Sequence, residues 1–270
     1  MRTPRGPVAI AVWMLTVLVA GCGASSSTST STSTSTAPPA STAPPASTAP
    51  SASTAPSAST TPPASTAGNP LAALTARQIL AKTIADFKAA SSVHIAGSER
   101  AAGQSFTMNL TVGANGCTGT VGLGAQGSVL LLRIGGTVWM KPDDQFWKSA
   151  LATAPADLSA VEGKYVRLSP KGPATSSFGA FCYLSQLAGQ VGGADDQVVK
   201  GQTAAIGGQP ALQLKDTGQA GSAYVTISAS PEFLQTGDTG GHVDFTDYNA
   251  PLALTAPPAS QTVAGSEYGL

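Results

Sequence analysis

The sequence predicts an α+β domain: a single curved antiparallel β-sheet, shaped as a half-open barrel and packed on a few helices, preceded by a disordered linker. Three observations carry this. Apolar residues follow helical spacing only once, between Ile79 and Phe87, and alternate with period two after that. Gly-Gly pairs at 135–136 and 207–208 punctuate the alternating runs. A long Ser/Thr/Pro/Ala tract without charge precedes all of it. The chain thus divides into residues 1–21, 22–68 and 69–270.

Residues 1–21 have the make-up of an export leader. Arg2 and Arg5 give a positive start, and Val8 to Ala20 is an apolar run without charge. That run is short of the roughly 20 apolar residues that span a bilayer. It ends in Val19-Ala20-Gly21-Cys22, which resembles the lipobox of bacterial lipoproteins. The resemblance implies that Cys22 receives a diacylglyceryl group and becomes the first mature residue. Each buried methylene contributes about 0.8 kcal/mol, so two or more acyl chains hold stably where one does not. The expected location is the extracytoplasmic face of the cell membrane, with the membrane as partner through the acyl chains on Cys22.

The tract from Gly23 to Gly68 holds no charged or aromatic residue. It cannot bury enough surface to offset the entropy of ordering it. Its prolines favour polyproline II, so it would reach on the order of 140 Å extended and about 40 Å as a coil. Ser/Thr/Pro tracts are also candidates for O-glycosylation, and a bare spacer is an equal reading.

The folded part begins with a helix. Thr75 and Gln78 have capping-box spacing, and Ile79, Leu80, Ile84 and Phe87 form one apolar face. Phe106, Met108, Leu110 and Val112 alternate with polar residues as a half-buried strand. Ser128–Ile134 is a continuous apolar run, and Gly135-Gly136 turns it into Thr137–Lys141. Tyr165–Leu168, Val198–Ile206, Gln209–Lys215, Tyr224–Ala229 and His242–Thr246 read as further strands. Pro155–Val161 and Phe178–Ala188 read as short helical insertions.

Cys117 and Cys182 remain after Cys22 is assigned. An even pair in an exported, oxidising setting reads as a disulfide. Two buried thiols or a metal site are the competing readings, and the metal reading is poor because no His spacing completes a tetrad. Formal net charge is zero and 10% of residues are charged, with no Lys/Arg run, so nucleic acid is not an expected partner. No G-x-S-x-G, S-x-x-K with its companion motifs, P-loop or H-E-x-x-H occurs. His242 and Asp244, two apart on a strand, read as a solvated face rather than part of a triad. Asp143-Asp144 and Asp195-Asp196 read as charged turns, without EF-hand spacing. Trp139, Phe146 and Trp147 read as core or rim aromatics rather than a ligand platform. No enzyme activity, catalytic residue, metal or cofactor is expected.

The layout resembles the LppX/LprG-type lipoproteins of mycobacteria and related actinobacteria, and the LolA/LolB-like fold behind them. The resemblance rests on Cys22 in its lipobox, the amphipathic helix leading to Ser91-Ser92-Val93-His94-Ile95, and Gly136-Thr137-Val138-Trp139-Met140-Lys141 followed by Phe146-Trp147. Gly163-Lys164-Tyr165-Val166 and Val243-Asp244-Phe245-Thr246-Asp247-Tyr248 complete it. It implies a half-barrel around helices with an apolar cavity for a lipid or lipidated glycan, held without catalysis. Phe106, Met108, Leu110 and Val112, with Leu130, Leu132 and Ile134, would line that cavity. The same residues fit a filled core equally well, in a cell-envelope interaction protein whose partner is another envelope protein. The Cys117/Cys182 pair is a departure from that family's pattern.

Overall fold

The computed structural model describes residues 69–101, 103–150, 158–191, 197–218 and 221–268. The leader, Cys22, the tether, Asp195-Asp196 and the first three residues of the Pro155–Val161 segment lie outside them; Leu158–Ala160 of that segment is a 3₁₀ turn.

Helix α1 (Ala76–Ala89) starts where the capping box places it. Thr75 Oγ1 accepts from the Gln78 N–H, and Gln78 Oε1 accepts from the Thr75 N–H. Its buried face is Ile79, Leu80, Thr83 and Phe87. The Phe87 ring sits edge-on to Phe233 and Phe245, with centroids 5.8 and 5.7 Å away.

Among the described residues twelve strands form one sheet. The first five are β1 (Ser92–Ala101), β2 (Gln104–Gly113), β3 (Gly116–Gly122), β4 (Ser128–Ile134) and β5 (Thr137–Pro142). Helix α2 (Asp144–Ala150) and β6 (Tyr165–Arg167) follow. An insertion then carries α3 (Pro173–Phe178), a 3₁₀ turn at Gly179–Cys182 and α4 (Leu184–Val191). The sheet resumes with β7 (Val198–Ile206), β8 (Gln209–Asp216), β9 (Ser222–Thr226), β10 (Phe233–Asp238) and β11 (Gly241–Thr246), and ends with β12 (Thr262–Ala264). The spatial order is β12-β6-β5-β4-β3-β2-β1-β11-β10-β9-β8-β7, so the sheet is open, with β12 and β7 at its edges. Every pairing is antiparallel except β12 with β6, which is parallel. The sheet is therefore the expected open antiparallel one, mixed only at the edge where β12 joins β6. A parallel neighbour needs a long crossover, and the irregular segment after β11 supplies it.

That segment is a strap. Asn249 Oδ1 accepts from the N–H and hydroxyl of Ser91, and the Asn249 N–H donates to Ser92 O. Leu252 and Leu254 then come up against Gly113 and Gly116 at the ends of β2 and β3. From Leu254 the chain must move four strands sideways to reach β12 by Thr262. Eight residues allow only a direct path, over the outer face of β4 and β5, where Leu132 is buried.

Register decides which residues face inward. Val112 pairs with Cys117, which pairs with Arg133, which pairs with Val138. Leu110, Gly119, Leu131, Met140 and Val166 form the next rung. Opposed residues share a face, so the inward set on β4 is Val129, Leu131 and Arg133. Leu130, Leu132 and Ile134 point to the other side, beside Thr120, Thr118 and Gly116. The expectation that they share a wall with Phe106, Met108, Leu110 and Val112 is corrected. β4 is apolar on both faces, so its period carries no information about which side is in.

The predicted helix over Phe178–Ala188 is a 3₁₀ turn (Gly179–Cys182) running into α4, and α3 precedes it. α2, β1, β10 and β12 were not among the elements read from alternation. The inward positions of β1 run Val93, Ile95, Gly97, Glu99, and the last two break the apolar pattern.

Candidate functional site

The concave face of the sheet is the candidate site. α1 covers it on the side of β1 and β7 to β11, and the α3–α4 insertion covers it on the side of β2 to β5. Buried residues of α1, the sheet and the insertion form one continuous apolar core.

Two connections seat the insertion. Cys117 and Cys182 are joined as a disulfide, with Cα atoms 5.1 Å apart. Directly opposite Cys117 on the neighbouring strand, Arg133 is 4% exposed. Its Nε donates to Cys182 O at 3.1 Å, Nη1 to Gly135 O at 2.8 Å, and Nη2 to Gly113 O at 3.0 Å and Ala114 O at 3.4 Å. The Tyr183 ring lies 4.2 Å from its guanidinium carbon. A buried charge is tolerated when its donors are satisfied, and here backbone carbonyls do this instead of a carboxylate. Arg133 is the site residue that sequence reasoning missed. An Arg at an inward position of an otherwise apolar strand is the signal that could have found it.

The sequence-derived wall residues fall into three groups. Leu110 and Val112 are fully buried. Phe106 and Met108 are inward but half-buried, and the Phe106 ring stacks on Phe181 at 5.6 Å. Leu130, Leu132 and Ile134 are on the outer face. Together with Leu123 and Phe146, the half-buried Phe106, Met108 and Phe181 make an apolar rim at the end of the barrel where β2 begins. Across β1 from this rim, Glu99 opposes Phe106. Burial first, and then the charge of Asp238, raise its carboxyl above the usual range.

α2 stands beside the rim. Asp143 fixes its start: its Oδ1 accepts from the Phe146 N–H, and its Oδ2 accepts from the N–H and hydroxyl of Ser128. Slight burial opposes ionisation, but these bonds outweigh it and hold the Asp143 carboxyl below its ordinary value. Asp143 is thus a helix cap as well as a charged turn. Trp147 projects into the core, while Phe146 stays on the rim.

The outer face is mostly polar. His94 contacts Asn109 Oδ1 at 3.0 Å and Thr246 Oγ1 at 3.2 Å. His242 and Asp244 are 3.6 Å apart and exposed. Trp139, Lys141, Tyr165 and Arg167 alternate across β5 and β6. A cavity of about 210 Å³ lies at the strap root, between Ser91, Asn115, Asn249 and Leu252. It is smaller than the roughly 300–1,000 Å³ of most ligand sites. Among the described residues no group of three or more His, Cys, Asp or Glu side chains converges on a metal position. No described helix is long and apolar enough to cross a membrane.

No family model matches this chain, and no characterised protein matches it by sequence. Solved structures do. LprF from Mycobacterium bovis aligns at TM-score 0.43 and 16% identity, over 67% of this chain and 96% of that one. The lipoprotein LppX of Mycobacterium tuberculosis aligns at TM-score 0.43 and 13% identity, over 67% of this chain and 98% of that one. An uncharacterised conserved protein of Thermus thermophilus aligns at TM-score 0.34 and 13% identity, over 70% and 98%.

Proposed function

We propose that this chain is an extracytoplasmic lipoprotein, anchored to the cell membrane by acyl chains on Cys22, that holds an apolar ligand inside its half-barrel without catalysis. Residues 22–68 are its tether and 69–270 its LolA-like domain. The ligand class is a lipid or a lipidated glycan. The observation that carries the reading is the rim. Phe106, Met108, Leu123, Phe146 and Phe181 leave apolar surface half-open to water at the mouth of an open sheet. Behind them is a continuous apolar core in which a separate insertion occupies the concavity. An acyl chain buried there would gain about 25 cal/mol per Å² of apolar area, less the cost of immobilising it.

The second reading is an envelope interaction protein with a filled core and no small ligand. The full burial of Leu110, Val112, Leu131 and Met140 favours it, since those side chains are closed to solvent. Under the carrier reading, the insertion or the rim shifts to admit a chain.

Native mass spectrometry and lipid extraction of protein from an actinobacterial host separate the two. The carrier reading expects co-purified lipid, and Phe106→Gln lowering it with little change in melting temperature. Leu132→Gln, on the outer face, should leave it unchanged. Ligand-free wild type from that host defeats the carrier reading. Anchoring is tested by Cys22→Ala, which should abolish labelling by a fatty-acid probe; equal labelling of the variant refutes it.

A further inference from the structure

Trp147 is 2% exposed, and its indole Nε1 finds no hydrogen-bond acceptor among the described residues. Indole nitrogen is a donor only, so nothing but an acceptor can satisfy it. Buried donors without partners are uncommon in folded proteins, because they give up a bond to water and gain none in return. The surroundings do not offer a good place for water, which needs two to four polar partners. The rings around it are Phe146 at 5.8 Å and Tyr268 at 6.5 Å, of which only Tyr268 carries a polar group. α2 packs on β4 and β5, whose inward residues here include Val129, Leu131 and Met140.

The donor is also next to the rim. Phe146 is half-buried there and touches both Trp147 and, at 6.2 Å, Phe178. Phe146 thus links the rim to Trp147.

We infer that Trp147 is a ligand-binding residue whose indole N–H donates to the carbonyl oxygen of an acyl ester while the attached chain lies in the core. This rests on the carrier reading and adds a polar anchor to it. A single donor in apolar surroundings selects a ligand that is apolar along its length and carries an acceptor at one end. A plain hydrocarbon would leave the N–H unsatisfied.

The test uses the full chain with Cys22→Ala, which removes the proposed anchor so that the protein can be parted from vesicles, and with Trp13→Phe in the leader, so that emission comes from Trp139 and Trp147 alone. Adding Trp139→Phe leaves Trp147 as reporter, and adding Trp147→Phe leaves Trp139, on the outer face. Each protein is incubated with vesicles of phosphatidylglycerol carrying dibrominated acyl chains and then separated from them by flotation. Bromine quenches only at near contact. The Trp147 reporter should lose most of its emission and the Trp139 reporter little. Native mass spectrometry of the same samples should show the Trp147→Phe protein retaining about three- to tenfold less lipid than the Trp139→Phe protein, the loss of one hydrogen bond. Their melting temperatures should stay close, because phenylalanine preserves most of the packing. Bound lipid with Trp147 unquenched, or equal retention by the two proteins, overturns the anchor and leaves the carrier reading standing. Quenching of Trp139 instead places the lipid outside and overturns it too. No retained lipid in either protein overturns both.

Discussion

Arg133 and the disulfide should act as one clamp, and the size of each half can be worked out. Arg133→Met keeps most of the side-chain volume and removes all four bonds to carbonyl oxygens. Hydrogen bonds to charged groups contribute about 1.5–3 kcal/mol each, but deleting the charge also removes its desolvation cost. Water can reach the Gly135 and Ala114 carbonyls at the hairpin ends, so the net loss concentrates on Cys182 O and Gly113 O. The expected cost is about 2–4 kcal/mol, or a melting temperature lower by roughly 5–15 °C in a domain of this size. Losing the bridge between Cys117 and Cys182, 65 residues apart, costs about 4 kcal/mol in the chain-entropy model. Both devices hold the same short segment, so the losses should not add: once either is gone, the other fixes an insertion that is already loose. A double-mutant cycle of Arg133→Met with Cys117→Ser/Cys182→Ser, followed by urea unfolding, should give a coupling of about 1–3 kcal/mol. Additivity within about 0.5 kcal/mol, or an Arg133→Met cost below the error of the melt, would refute the clamp.

The register of β4 predicts opposite outcomes for neighbours. Leu131→Gln buries an unpaired amide and should cost about 3–5 kcal/mol, while Leu130→Gln, on the outer face, should cost under about 1 kcal/mol; similar melts for the two would overturn the inward assignment. Tyr248 bears on alkaline stability. Burial first, and then the charge of Glu232, raise its phenol far above the ordinary value near 10, against the bond its hydroxyl donates to Phe233 O. Above about pH 10 the unfolded chain releases this proton and the folded chain keeps it, so stability falls as pH rises, by up to about 1.4 kcal/mol per pH unit. Tyr248→Phe should flatten that decline, and identical slopes in wild type and variant would dismiss the argument. Thr75→Ala removes one half of the capping box and should cost about 1 kcal/mol by urea melt; no change would mean that tertiary packing alone sets the start of α1.

Local chemistry was legible in the sequence wherever one short segment contained the whole cause. α1 begins at Ala76 because Thr75 and Gln78 satisfy each other's backbone partners, and that needs only four residues. β7 spans Val198–Ile206 and turns at Gly207-Gly208, both at positive φ, because a tight hairpin needs residues without a Cβ penalty there. The α+β class and the open curved sheet follow from the same local signals summed along the chain.

Only the tertiary structure decided which face of β4 is the inside. Ser128–Ile134 is apolar on both sides because the core lies under one and the strap crosses the other, and the strap comes from residues more than a hundred positions later. It also decided that Arg133 is buried, since its four acceptors come from β2, two hairpin ends and the insertion, which only folding brings together. β12 was illegible for the same reason: three residues become a strand because β6 offers them an edge. Leu130, Leu132 and Ile134 looked like partners of Phe106 while hydrophobicity was the only guide. Cross-strand register, a non-local property, sends them to the other side of the sheet.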